Sequence, residues 1–150
     1  MTDPDDPSPS ASTAPADVPS ALLPLTRWGP VIAVLAVIVA GSITTSVPTV
    51  PGADWIPIDV SDVRHLAAYA TLAVAVSWAT RSTIRSHVRL LVAAFALVVA
   101  VGVMIELLQS TLPHRTASVR DVGVNALGAT IGLGGYTVLV GLRSRLSASS

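Results

Sequence analysis

Four long apolar runs constrain this chain more than any other feature of its sequence. A helix needs about 20 mostly apolar residues to cross the hydrocarbon core of a bilayer, and the 150 residues of the chain are 51% hydrophobic and only 12% charged. The runs predict transmembrane helices over residues 30–47, 63–80, 88–108 and 119–142. We therefore predict an all-α fold, an integral membrane four-helix bundle, in one domain over residues 28–142.

The N-terminal segment, residues 1–24, has a different composition. It is rich in Pro, Ser, Ala and Asp and contains no aromatic residue, so it cannot bury enough apolar surface to offset the entropy lost on folding. Asp3, Asp5 and Asp6 stand where a signal peptide would carry positive charge. We predict a disordered, acidic N-terminal tail that is retained and stays on the side where it is made.

The arginines predict how the bundle is oriented. All nine basic residues are arginine; six of them flank one side of the predicted bundle and three lie on the other side. The six are Arg27, Arg81, Arg85, Arg89, Arg143 and Arg145, and the three are Arg64, Arg115 and Arg120. Since positive charge in short loops is retained in the cytoplasm, we predict a multi-pass protein of the cytoplasmic membrane with both termini cytoplasmic and with loops 48–62 and 109–119 facing outward.

The polar residues of the second, third and fourth predicted helices fall on the same, outward side. Residues three, four and seven apart share a face of a helix, so each helix can turn a polar stripe inward. Ionisable groups at membrane depth usually face a bundle interior or a cavity, where they mark function. The ligand-binding candidates are His65, Tyr69, Glu106, Gln109, Arg115, Ser118, Asp121 and Asn125.

Several of these residues also have structural interpretations that the sequence leaves open. Asp62 and Asp121 can start their helices, where a carboxylate complements the helix dipole, and Ser118 with Asp121 matches a Ser-x-x-Asp capping box. Tyr69 can be an anchor at the membrane interface. His65 can be a hydrogen-bonded packing residue. Both a structural and a ligand-binding role therefore stay open for this side chain.

Glu106 is the clearest candidate for function because it is the only glutamate in the chain and follows a long apolar run. Its structural interpretation is an ion pair with Arg115 or Arg120 that links two helices. Both interpretations place the carboxylate inside the bundle.

The glycines of the fourth predicted helix indicate close packing. Gly128 and Gly132 form a small-xxx-small pair, which lets another helix approach closely. We expect these two residues to serve helix packing and the fourth helix to be central. The same pair permits a homo-oligomer, which stays open.

Composition excludes several other classes of site. The chain has no cysteine, which removes disulfides, thiolate nucleophiles and cysteine metal sites. The formal net charge is zero, which gives no reason to expect a nucleic-acid partner. We expect no metal ion and no cofactor.

The polar stripes, taken in chain order, carry a resemblance to a known family. Residues 106–109 read E-x-x-Q, and residues 113–128 read P-x-R-x-x-S-x-x-D-x-x-x-N-x-x-G. Over about residues 55–142 the chain resembles the VanZ-like membrane protein family, in which an aspartate stands four positions before the histidine of the first stripe, where this chain has Ser61. The resemblance implies a four-helix membrane protein of the cell envelope. The named member of the family is associated with low-level resistance to the glycopeptide teicoplanin.

Three functions stay open at the level of sequence. The first is binding of a small polar or lipid headgroup at the outward cluster, with Arg115 contacting an anionic group. The second is an intramembrane hydrolase or transferase that uses His65 and Glu106, with Asp121 and His114 as the further ligands of a metal site in one version. The third is a structural or partner-binding module. No H-E-x-x-H or G-x-S-x-G motif is present, so we favour binding, with the lipid bilayer and such a headgroup as partners and no catalytic residue assigned.

Overall fold

The fold is all-helical, as the apolar runs predict. The structure, a computed structural model, describes residues 23–44, 60–112 and 118–149. The four helices are α1 (Leu23–Thr44), α2 (Val60–Thr80), α3 (His87–Ser110) and α4 (Val119–Ala148). The predicted fold class, an all-α arrangement of four helices, is confirmed.

The first helix begins earlier than the apolar run predicts. It starts at Leu23 rather than at residue 30, so Leu23 and Pro24, which the composition assigned to the tail, are helical. Pro30 stands inside α1, where it removes one backbone hydrogen bond without ending the helix. The rest of the predicted tail, residues 1–22, lies outside the described residues.

The early turns of α1 are held by the end of α2. Arg27 donates through Nε to the carbonyl oxygen of Ala79 and through Nη2 to Thr83 Oγ1 at 2.7 Å. The hydropathy of the sequence does not reveal such contacts between distant segments. The last helix likewise continues to Ala148 instead of ending at residue 142.

Successive helices run antiparallel, which gives the bundle two distinct ends. The start of α1 lies beside the end of α2, whereas the starts of α2 and α4 and the end of α3 meet at the other end. We call the end with Asp62, His65, Glu106 and Asp121 the polar end. The opposite end, the arginine end, carries Arg27, Arg81, Arg85, Arg89, Arg143 and Arg145.

The central helix is α2, which corrects the expectation that α4 would be. Among the described residues α2 packs extensively against α1, α3 and α4, whereas α4 has no contact with α1 and α3 contacts α1 only slightly. Tyr69, Leu72, Ala73 and Val76 of α2 are all buried and form the middle of the apolar core. The chemistry of the polar end is therefore arranged around α2.

The glycines of α4 bring its backbone against that of α2. A Cβ atom on Gly128 would lie 2.7 Å from the carbonyl oxygen of Leu66, and one on Gly132 would collide with the carbonyl oxygen of Ala70. Only a residue without a side chain fits at such an approach. The polar residues of α2 and α4 are consequently held close together.

Three of the helices are long and apolar enough to cross a membrane. The candidate spans lie in α1 (Thr26–Ile43), α3 (His87–Ser110) and α4 (Val119–Ala148), with mean hydropathies of 1.7, 2.7 and 1.3. The sequence predicted four spans, but α2 does not reach the same apolarity because its first turns carry Asp62, Arg64 and His65. Since α2 packs along the other three helices, it lies at the same depth, and these features indicate a membrane protein.

Candidate functional site

His65 of α2 and Asn125 of α4 form a direct side-chain pair across the closely packed helices. His65 Nδ1 lies 2.9 Å from Asn125 Oδ1, and Asn125 is only 1% exposed. When Nδ1 carries the ring proton, it donates to this oxygen, and Nε2 becomes the acceptor nitrogen of the ring. Asn125 thereby holds the orientation of the His65 ring.

Tyr69 lies one turn further along α2 and continues the same buried polar layer. Its ring stacks on that of His65 with the centroids 6.3 Å apart, and the residue is 1% exposed. A Cβ atom on Gly102 of α3 would lie 3.2 Å from both Tyr69 Cε1 and Asn125 Nδ2. Gly102 therefore makes the space in which these two side chains meet, a role that the sequence analysis missed although this glycine interrupts an otherwise bulky apolar helix.

Glu106 links the end of α3 to the start of α4. The carboxylate is 3% exposed, and its Oε2 accepts a hydrogen bond from the backbone N–H of Ser118 at 3.1 Å. The side chain of Ser118 in turn accepts from the backbone N–H of Asp121 at 3.2 Å, which is the hydrogen bond expected of the Ser-x-x-Asp cap. Arg120, a predicted partner of Glu106, pairs with Asp62 instead.

The ion pair between Asp62 and Arg120 is a second link between α2 and α4. Arg120 Nη2 lies 2.6 Å from Asp62 Oδ2; the Asp62 side chain is nearly buried and that of Arg120 is largely exposed. A pair with one partner in solvent contributes little stability, typically about 0–1 kcal/mol. Its clearer effect is to turn the Asp62 carboxylate toward α4.

Three buried polar atoms of this layer have no hydrogen-bond partner among the described residues. They are Tyr69 Oη, Glu106 Oε1 and Asn125 Nδ2. Tyr69 and Asn125 both meet Gly102, and Glu106 lies one turn after Gly102 on α3. Because buried polar groups are usually satisfied, this concentration of donors and acceptors is a place where a water molecule or a ligand group would be stabilised.

A cleft of about 320 Å³ opens beside this layer, between α1, α2 and the end of α3. Its apolar lining comes from Val37 and Ile38 of α1 and from Ala67 and Ala68 of α2. Polar side chains from all three helices line the same cleft. They are Ser42, Ser61, Arg64, His65, Tyr69 and Gln109. The cleft thus combines a lipid-like surface with a cluster of hydrogen-bonding groups.

Comparison of the sequence with known proteins identifies the family of the chain. The family model described as VanZ/LLP1 matches residues 9–140. This chain belongs to the VanZ/LLP1 family. No curated protein and no solved structure matches it. The family match starts inside the segment predicted as a tail, and the disorder predicted for residues 1–22 stays a prediction.

The residues predicted for the VanZ-like site separate into two groups. His65, Tyr69 and Gln109 line the cleft, with Asn125 directly behind His65. Glu106, Ser118 and Asp121 lie at the junction of α3 with α4, where they hold the start of α4. Arg115 lies outside the described residues.

The cleft also contains residues that the sequence analysis did not assign to it. Arg64 brings its Nη2 atom to 3.7 Å from the position of a Cβ atom on Gly41 of α1. Ser61, Arg64 and His65 share one face of α2 by their three- and four-residue spacing. This spacing could have predicted that Ser61 and Arg64 lie in the same site as His65. No such pattern marks Gly41 and Ser42, because nothing in the sequence shows that α1 lines the cleft.

The described residues contain no group of three His, Asp or Glu side chains that could hold one metal ion. His65 faces Asn125, and Glu106 faces the backbone of Ser118. The metal site considered for His65, Glu106 and Asp121 is therefore not formed by these three residues, and His114 lies outside the described residues.

Proposed function

We propose that this VanZ-like membrane protein binds the headgroup of a lipid or of another envelope amphiphile in the cleft at its polar end. The observation that carries the proposal is the mixed lining of the cleft, in which the apolar Val37 and Ile38 accompany polar side chains such as Arg64. An amphiphile likewise combines an apolar and a polar part. The volume of the cleft, about 320 Å³, falls in the range of small-ligand sites.

The polar side chains of the cleft favour an anionic or strongly hydrogen-bonding headgroup. Arg64 offers a planar guanidinium that can hold a phosphate or carboxylate through two parallel hydrogen bonds. His65 contributes Nε2, and its ring is oriented by the hydrogen bond between Nδ1 and Asn125. Gln109 is buried at the edge of the cleft and offers an amide with both donors and an acceptor.

The unpartnered atoms behind the cleft support the same function. Tyr69 lines the cleft and has a buried hydroxyl with no partner among the described residues. A bound headgroup, directly or through water, would satisfy such a group and so gain binding energy that an apolar pocket could not supply.

The orientation of the protein belongs to the same proposal. The arginine end collects six of the nine basic residues, which favours a cytoplasmic position for that end. The polar end then faces outward, and both termini are cytoplasmic. The cleft would receive a headgroup from the outer, envelope side of the membrane.

Lipid co-purification tests the cleft directly. The wild-type chain and an Arg64→Gln, Gln109→Leu double variant are purified in the same mild detergent, and bound amphiphiles are identified by mass spectrometry. We expect a discrete amphiphile in the wild type and a loss of about tenfold or more in the double variant, since two polar contacts of the headgroup are removed.

Arg85→Gln is the matched control for charge, because Arg85 is exposed at the arginine end and far from the cleft. Thermal unfolding of each variant in detergent verifies that it is folded. An identical set of bound amphiphiles in the folded double variant and the wild type would contradict the proposal.

A further inference from the structure

Two arginines at the arginine end share one tryptophan ring. The guanidinium carbon of Arg81 lies 3.5 Å from the ring centroid of Trp78, and that of Arg143 lies 5.0 Å from the same centroid. Trp78 belongs to the last turn of α2, Arg81 follows that helix, and Arg143 comes from α4. We call these three residues the Trp78 cluster.

The Trp78 cluster concentrates positive charge without a described counter-charge. Both of its arginines are exposed, and neither forms an ion pair with a described carboxylate. The described carboxylates, Asp62, Glu106 and Asp121, all lie at the polar end. Two guanidinium groups near one ring repel each other unless an anion lies between or beside them.

The position of the Trp78 cluster indicates which anion is available to bind its two arginines. Tryptophan and arginine at the ends of spanning helices lie at the headgroup level of a bilayer, where lipid phosphate is the most abundant anion. The indole ring limits the motion of both guanidinium groups, so less side-chain entropy is lost when they bind. Arg85 and Arg89, both exposed at the same end, add to the local positive potential.

We propose that the Trp78 cluster is a binding site for the phosphate headgroup of an anionic phospholipid, held jointly by Arg81 and Arg143. The site is separate from the cleft, which lies at the other end of α2. It would hold the arginine end in an anionic leaflet while the polar end remains available for its own ligand.

Fluorescence quenching of Trp78 tests this site in the full-length chain. Trp28→Phe and Trp55→Phe leave Trp78 as the only tryptophan. The protein is reconstituted in vesicles of phosphatidylcholine that contain a small fraction of brominated phosphatidylglycerol or, in parallel, brominated phosphatidylcholine. We expect the brominated anionic lipid to quench the fluorescence of Trp78 about fivefold more strongly than the brominated neutral lipid, because it occupies the site more often. We also expect this preference to weaken in about 0.5 M salt.

Variants of the two arginines decide whether the cluster causes the preference. Arg81→Gln with Arg143→Gln is expected to bring the ratio of anionic to neutral quenching close to one. Arg145→Gln removes the same kind of charge from α4 outside the cluster, and we expect it to keep most of the preference. Equal quenching by both lipids in the unchanged cluster, or an unchanged preference in the double variant, would overturn the proposal.

The competing occupant is the acidic N-terminal segment, whose carboxylates are Asp3, Asp5, Asp6 and Asp17. The chain with these four residues changed to Asn is measured in the same vesicles. If the preference for the anionic lipid arises only after that change, the segment and not a lipid is the natural partner, and the proposal fails. An equal preference with and without the four carboxylates supports the lipid site.

Discussion

At the scale of single residues, the two oxygens of Glu106 have different surroundings. Oε2 accepts from the backbone N–H of Ser118 at 3.1 Å, whereas Oε1 is buried without a partner among the described residues. The first oxygen stabilises the start of α4 and explains why a polar residue follows the apolar run of α3. The second leaves a polar group available inside the bundle.

Substitutions of Glu106 separate these two properties. Glu106→Gln keeps an oxygen that can accept from Ser118, so we expect stability within about 1 kcal/mol of the wild type. Glu106→Leu leaves the N–H of Ser118 without its acceptor and is expected to cost about 1–3 kcal/mol. Thermal unfolding in mild detergent measures the difference, and equal stabilities of the Leu and Gln variants would show that this hydrogen bond does not support α4.

Local residue patterns predicted the cap of α4 but not the ion pair between α2 and α4. The Ser-x-x-Asp pattern gave the cap of α4 correctly, because a cap depends only on residues three positions apart. The ion pair of Asp62 with Arg120 joins residues from two helices. No local pattern specifies which of several arginines lies nearest, so that pairing had to come from the fold.

At the scale of helices, the contact between α2 and α4 positions most of the polar layer. Gly128 and Gly132 face the backbone of α2 at Leu66 and Ala70, and His65 meets Asn125 one turn from there. A wider separation of the helices would lengthen the bond between His65 and Asn125. The geometry of the site therefore depends on the close packing of the two glycines against α2.

Glycine-to-alanine substitutions along α4 test this arrangement. A methyl group on Gly132 would collide with the backbone oxygen of Ala70, which cannot rotate away, so Gly132→Ala is expected to cost about 1–3 kcal/mol. Gly134 has nothing within 4 Å of its Cβ position, so Gly134→Ala should be neutral or stabilising by up to about 1 kcal/mol. Unfolding in detergent compares the two, and equal effects would contradict the packing described for Gly132.

Hydropathy located the helices, whereas the glycine pattern led to the wrong expectation that α4 is the central one. Hydropathy ranks α2 as the weakest span, since Asp62, Arg64 and His65 occupy its first turns. A helix covered by three neighbours needs less apolar surface toward lipid than an outer helix, so low hydropathy is consistent with the central place of α2. The glycines predicted close packing of α4 but could not show that its partner is α2.

At the scale of the whole molecule, the bundle has a polar end and an arginine end. The sequence predicted the gathering of polar residues from α2, α3 and α4, because antiparallel helices bring those segments to the same level. It did not predict that α1 closes the cleft, since Gly41 and Ser42 are too small to suggest a binding wall. The outward direction of the polar end is the claim on which binding of an envelope headgroup depends.

Labelling of single cysteines in intact cells tests that direction most directly. The chain contains no cysteine, so Ser110→Cys at the polar end and Ser82→Cys at the arginine end, both at exposed positions, can be compared without background. We predict that a membrane-impermeant maleimide labels Ser110→Cys in intact cells and labels Ser82→Cys only after the cells are permeabilised. Labelling of Ser82→Cys from outside, with Ser110→Cys protected until permeabilisation, would contradict the account.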